Sequence, residues 1–203
     1  MTTATLQADI AAWMNRTDLT TQIPGFIRIA ESRIALDVRS WQMIVALTLT
    51  QPADGVTSSI PVPLDWLEWD ALWISGRPLD YVQPEVMAQF IRAGNTASIA
   101  KYTMVGGKLI VGATIPTTSP AVAVATTYYQ HVTPLVASGD TNWLLDTYPA
   151  LYLYASLASA CRFVKDDQRA AGYSDNYVNL LTDINSNATK APKSGSQWRQ
   201  RAR

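Results

Sequence analysis

Apolar residues recur at three- and four-residue steps near both ends of the chain, and the stretch between alternates β-branched, aromatic and polar positions. Over residues 5–16, Leu6, Ile10, Trp13 and Met14 share one side, which predicts a short helix followed by a polar break at Thr17–Thr21. A second helix is predicted from Ile23 to Arg39, with Pro24 in its first turn, where a missing N–H costs nothing. Ile23, Ile27, Ala30, Ile34, Val38 and Trp41 form its buried stripe, while Arg28, Glu31, Arg33 and Asp37 cover other faces. Toward the other end, Asn142 to Leu181 reads as two consecutive amphipathic helices. Tyr148, Leu151, Tyr152, Ala155, Ala158, Cys161 and Arg162 stripe the first, with Asp146 or Thr147 as its cap. Tyr173, Tyr177, Leu180, Leu181 and Ile184 stripe the second, after Asp166 or Asp167 restarts the helix. Ala155, Ser156, Ala158, Ser159 and Ala160 leave little bulk, so another backbone can approach closely, from the same chain or from an adjacent subunit.

Between these pairs the punctuation changes to Pro52, Gly55, Pro61, Pro63 and Gly76. Strands are predicted at Met43–Thr50, Ser58–Val62 and Trp69–Ile74, with Leu79–Val82 as the short hairpin partner of the last across Gly76-Arg77. A small helix is predicted at Pro84–Ala93. Lys101–Val105 and Lys108–Val111 form the clearest hairpin, because Gly106-Gly107 permits the positive φ angles of a tight turn. Val122–Val132 is the last strand. The pattern predicts an α+β, mainly helical fold. An antiparallel helix bundle is expected from an N-terminal pair (residues 1–40) and a C-terminal pair (140–188), with a β-rich region inserted over 41–139. From Asn185 the composition turns to Ser, Asn, Lys, Arg, Gly and Pro, which cannot bury enough apolar surface to order itself. Residues 189–203 are expected to be a flexible basic arm.

Composition sharpens this picture. In 203 residues the hydrophobic fraction is 48% and the charged fraction only 16%, a low charge that suits a surface partly covered by neighbours. The formal net charge is zero, against general nucleic-acid affinity, yet Lys190, Lys193, Arg199, Arg201 and Arg203 cluster where there is no acid. That leaves 11 of the 16 basic residues against 16 acidic ones elsewhere, a net of −5. The single cysteine, Cys161, excludes an internal disulfide and suits a reducing compartment. No apolar run approaches the roughly 18 residues of a membrane helix, and no signal-peptide pattern opens the chain.

Candidate chemistry is sparse. One histidine (His131) and one cysteine cannot supply the converging nitrogen and sulfur ligands of a zinc site, and neither metal nor cofactor is expected. His131 stands at a strand end with no nucleophile motif, and Cys161 reads as a small core residue. Gly106-Gly107-Lys108 lacks the Ser or Thr of a phosphate loop, since Leu109 follows the lysine. Asp65, Glu68 and Asp70 beside Trp66, Trp69 and Trp73 could serve a sugar site in a carbohydrate-binding or cell-wall-degrading module. On a strand, however, Glu68 and Asp70 face away from Trp69 and Trp73, which favours core packing. The basic tail leaves open a nucleic-acid-binding module as a further alternative.

Four segments, taken in order, resemble the tailed-phage head-to-tail adaptor (connector) family found below the portal. They are LQADIAAWMNRTDLTTQIPGFIRIAESRIALDVR, PLDWLEWDALWISGRPLDYV, YTMVGGKLIVG and TNWLLDTYPALYLYASLASACRFVKDDQRAAGYSDNYVNLL, and they cover most of residues 5–181. The resemblance implies a non-enzymatic structural protein of the virion neck, assembled as a dodecameric ring between portal and tail or nozzle proteins. DNA would pass through its lumen without sequence-specific binding. It further implies that helices form the ring wall, with Tyr148, Tyr152, Ala155, Ala158, Tyr173 and Tyr177 packing within or between subunits. The arm, with Lys190, Lys193, Trp198, Arg199, Arg201 and Arg203, would reach the portal and order there.

Overall fold

A computed structural model describes residues 1–51, 59–93, 100–112 and 122–190. In chain order the elements are α1 (Thr3–Met14), α2 (Ile23–Asp37), β1 (Ile44–Gln51), β2 (Ser59–Pro61), β3 (Trp66–Ile74), β4 (Arg77–Pro78) and β5 (Asp80–Tyr81). They continue with α3 (Pro84–Arg92), β6 (Lys101–Val105), β7 (Lys108–Val111), β8 (Val122–Gln130), α4 (Trp143–Thr147), α5 (Pro149–Phe163) and α6 (Asp167–Lys190). These elements belong to two compact units. One combines residues 1–42 with the chain from Val132 onward, and the other is Met43–His131.

The second unit holds two four-stranded sheets, ordered β1-β8-β3-β4 and β2-β7-β6-β5. Leu49, Leu72 and Val124 from the first sheet and Ile60, Leu109 and Val111 from the second share one buried cluster, so the sheets pack face to face. This overturns the expectation of a mainly helical bundle carrying a β insertion. The architecture is α+β, with two four-stranded sheets alongside six α-helices among the described residues. The strands are short and individually weak in pattern, yet together they close a core of their own, and one helix, α3, belongs to their unit.

Two turns show how local chemistry sets the register. Gly106 and Gly107 adopt φ of 58° and 70°, and β6 pairs antiparallel with β7 from Val105↔Lys108 to Tyr102↔Val111, as the double glycine predicts. At the other turn Ser75 and Gly76 take the positive φ values (51° and 78°), so β3 pairs with Arg77–Pro78, and of the expected partner Leu79–Val82 Leu79 continues that ladder, donating to Leu72 O at 2.9 Å. Asp80 and Tyr81 instead run parallel to β6, a pairing that no hairpin signal in the sequence announces. The bulged register of β3 against β8, with shifts between Trp66 and Glu68 and between Trp69 and Ala71, interrupts the strict alternation assumed for the tryptophan-acid stretch.

In the helical unit, α1 starts in a capping box formed by Thr2 and Thr5 and stops at Asn15, which takes the left-handed conformation (φ 50°). The helix expected with Tyr148 at the head of its stripe is α5, opened by Pro149, but neither Asp146 nor Thr147 caps it: its N-cap is Tyr148, with no side-chain hydrogen bond. Ahead of it lies the short α4, capped by Asn142, which accepts from Leu145 N. Asp166 accepts from Arg169 N and caps α6, as the sequence suggests. That helix runs past Asn185 to Lys190, although composition turns polar there. Its extension has a cause: Asn185 accepts from Arg39 N and donates to Asp37 O, both at 3.2 Å, fastening the polar turn to the end of α2.

Candidate functional site

Helix α5 is the hub of the helical unit. It packs against α1, α2, α4 and α6, and eight of its fifteen residues are buried. Ala155, Ser156, Ala158 and Ala160 are among them, so the small residues are explained by close approach of helices from the same chain. Cys161 is buried with its Sγ 3.7 Å from Met14 Sδ, and burial pushes its thiol above the ordinary range, which makes it an unreactive core residue.

Two buried tyrosines fix this packing by their hydroxyls. Tyr152 accepts a hydrogen bond from Asn142 Nδ2 at 2.9 Å, and Asn142 also donates to Thr133 O, so the asparagine ties the start of α4 to α5 and to the segment leading into it. Burial pushes the Tyr152 hydroxyl up to about 12. Tyr177 on α6 donates to Asp37 Oδ2 at 2.9 Å, while Arg33 lies 4.4 Å from its ring centroid and 3.5 Å from Asp37. Its hydroxyl is also raised, first by burial and then by the Asp37 carboxylate that accepts its proton's hydrogen bond. Thus Tyr152, Tyr177, Ala155 and Ala158 lie inside the chain's own packing, whereas Tyr148 and Tyr173 are half-buried.

Part of the helical surface is apolar. Trp13, expected on the buried side of α1, is instead half exposed, and its ring meets Tyr154 and Tyr173 at 6.3 Å each. Tyr154 and Tyr173 stack at 6.4 Å, so one surface patch draws an aromatic from each of α1, α5 and α6. On α2, Ile29 and Leu36 are 58% and 75% exposed, outside the predicted stripe. They are seven residues apart and therefore on one face, a signal that a wheel drawn only for the buried stripe passes over. Trp41, placed in that stripe, is also half exposed.

A cleft of about 340 Å³ lies between α1, α2 and the segment 134–136, where Glu31 Oε1 accepts from Leu135 N at 2.8 Å. Burial raises the Glu31 carboxyl, an effect opposed by that backbone bond and by Arg28.

The residues considered for other chemistry are dispersed. His131 is exposed at the end of β8, its backbone N–H donating to Asp65 O. Asp65 accepts from Tyr128, and Asp70 from Thr127. Trp69 packs on the sheet core with its indole N–H on Met104 Sδ and its ring 6.0 Å from that of Tyr128. No group of three or more His, Cys, Asp or Glu converges among the described residues, and no described helix is long and apolar enough to cross a membrane. Of the arm residues, Lys190 ends α6, while Lys193, Trp198, Arg199, Arg201 and Arg203 lie outside the described residues.

What the fold presents, then, is packing surface carried on a helical hub. Over residues 1–201 the chain matches the family described as SU10 adaptor protein, and it belongs to that family, in accord with the phage head-to-tail adaptors its segments resemble. No curated protein matches it.

Proposed function

We propose that the protein is a structural head-to-tail adaptor that assembles as a ring, of twelve copies, below the portal and continues the DNA channel toward the tail or nozzle proteins. The family match along 1–201 carries this reading. DNA passes the lumen without sequence-specific contact, and no catalytic step is required of any residue. The helical unit supports the ring wall, since its packing is fixed internally by α5 and its outer surface keeps large apolar side chains exposed.

The basic arm (189–203) docks on the portal. Lys190, Lys193, Arg199, Arg201 and Arg203 meet acidic groups there, and Trp198 anchors between them. The arm follows directly from α6, whose end is fastened to α2 through Asn185, so its starting point is fixed. Deletion of residues 189–203 tests this: co-sedimentation with purified portal should be lost while the circular dichroism spectrum is kept. Undiminished co-sedimentation of the truncated chain would contradict arm docking.

A further inference from the structure

Each of the two sheets ends in two edge strands, β1 and β4 in one, β2 and β5 in the other. An open edge presents unpaired N–H and C=O groups, and stable proteins blunt it by shortness, proline, charge or a bulge. Three of these edges are blunted in that way. β4 is Arg77-Pro78, β2 is three residues ending in Pro61, and β5 is Asp80-Tyr81. The fourth is not. β1 is eight residues, IVALTLTQ, with no charge, proline or glycine, and its ladder to β8 runs from Ile44↔Tyr129 to Gln51↔Val122 without a shift. We propose that this edge is a docking site, on which an extended segment of the tail or nozzle protein pairs as an added strand. The partner's identity rests on the adaptor reading, whereas the open edge is a property of the sheet.

One side-chain bond shows which backbone groups face the edge. Thr126 Oγ1 donates to Leu47 O at 3.0 Å, so Leu47 turns its C=O toward β8. Direction alternates along an antiparallel strand, so Ala46, Thr48 and Thr50 turn their N–H and C=O groups to the open edge. All three residues are exposed, and those outward groups have no partner among the described residues. The row itself specifies the occupant, because donors and acceptors alternating at strand spacing are matched by another extended backbone. Side chains narrow the match. Leu47 lies on the face that carries Leu49 into the core, yet is 40% exposed, so an added strand gains by setting an apolar residue beside it. On the other face Ala46, Thr48 and Thr50 suit small or β-branched neighbours. Pairing of one β1 with another β1 is two-fold and closes a dimer, unlike a ring contact. The portal is assigned to the arm in the adaptor reading, which leaves the tail or nozzle protein as the source of the strand.

Amide hydrogen exchange resolved to single residues tests this on the full chain alone, with purified portal, and with portal plus purified tail or nozzle protein. In the free chain Ala46, Thr48 and Thr50 should exchange fast, while Leu47 and Leu49, bonded to β8, exchange slowly. Adding tail or nozzle protein should slow the first three by about tenfold or more. Thr48→Pro removes one outward N–H and leaves the bonds to β8, so binding of that protein should be lost with Leu47 and Leu49 still protected. Should the proline expose those two amides, Thr48→Lys, which keeps every backbone group, takes its place and should also weaken binding. Slow exchange at the three positions in the chain alone would give the edge to a second copy, and slowing with portal alone would give it to the portal or a ring neighbour. Either overturns the proposal. Tail or nozzle protein that joins the complex while the three amides stay fast, or binds both variants undiminished, overturns it while the adaptor reading stands. A chain that binds neither portal nor tail or nozzle protein fails both.

Discussion

The Tyr177 hydroxyl donates to Asp37 Oδ2 at 2.9 Å, and Arg33 closes the arrangement by lying against the same ring and the same carboxylate. Tyr177 is fully buried, whereas Asp37 and Arg33 keep part of their surface in water, so the pair joins the α6 core to the end of α2. A hydrogen bond to a charged acceptor contributes about 1.5–3 kcal/mol. Tyr177→Phe should lower unfolding stability in urea by about that amount, with Asp37→Asn giving a smaller loss. The two losses should not add in the double variant. Additive losses would show that the residues act separately.

Ser156 and Ala158 test the hub from opposite directions. The Ser156 hydroxyl is buried with no hydrogen-bond partner among the described residues, so Ser156→Ala should stabilise by about 1 kcal/mol or leave stability unchanged. Ala158 is buried where other helices approach α5, so Ala158→Leu should destabilise by about 1–3 kcal/mol through overpacking. Thermal melts of both variants check the pair. A tolerated leucine at 158 would mean that α5 is less closely surrounded than its burial indicates.

Alkaline pH should weaken the fold. Tyr152 ionises near 10.0 when unfolded and is pushed up to about 12 in the folded chain. A raised folded value means its contribution is complete below pH 10 and is lost as pH rises through 12. Tyr177 is shifted in the same direction. Urea midpoints should therefore hold steady toward pH 10 and fall above it, and Tyr152→Phe should make that fall shallower.

Glu31 gives the corresponding effect in acid. Its carboxyl is raised by burial, so the contribution from its protonated form is present below the unfolded value of 4.5 and lost as pH rises through the folded one. Glu31→Gln keeps an oxygen acceptor for Leu135 N and removes the buried charge. At neutral pH the variant should match or exceed the parent in urea midpoint, and a clear loss would assign the charge itself a stabilising role.

How much of this was legible beforehand varies with the range over which each cause acts. Helix starts such as Pro24 and Asp166, and the Gly106-Gly107 turn, depend on a few neighbouring residues and are readable. The parallel pairing of Asp80–Tyr81 with β6 and the shared core of the two sheets depend on residues distant in sequence, and no local pattern reports them. The start of α5 at Pro149 is local and readable, whereas the short α4 before it is not announced, because Asp146 and Thr147 read as caps of the later helix while Asn142 caps a turn of its own. The helical continuation through Asn185 depends on its bonds to Asp37 and Arg39, 148 and 146 residues away in sequence. As for the candidate surfaces, Tyr152, Tyr177, Ala155 and Ala158 could be picked out by helical spacing. Ile29, Leu36 and the exposure of Trp13 required knowledge of which helix faces meet.

Native mass spectrometry of the full chain mixed with purified portal tests the central claim most directly. The account predicts a closed complex holding twelve copies of the chain on one portal, formed without intermediates of arbitrary size. Portal emerging bare, with the chain remaining monomeric at every ratio, would contradict it.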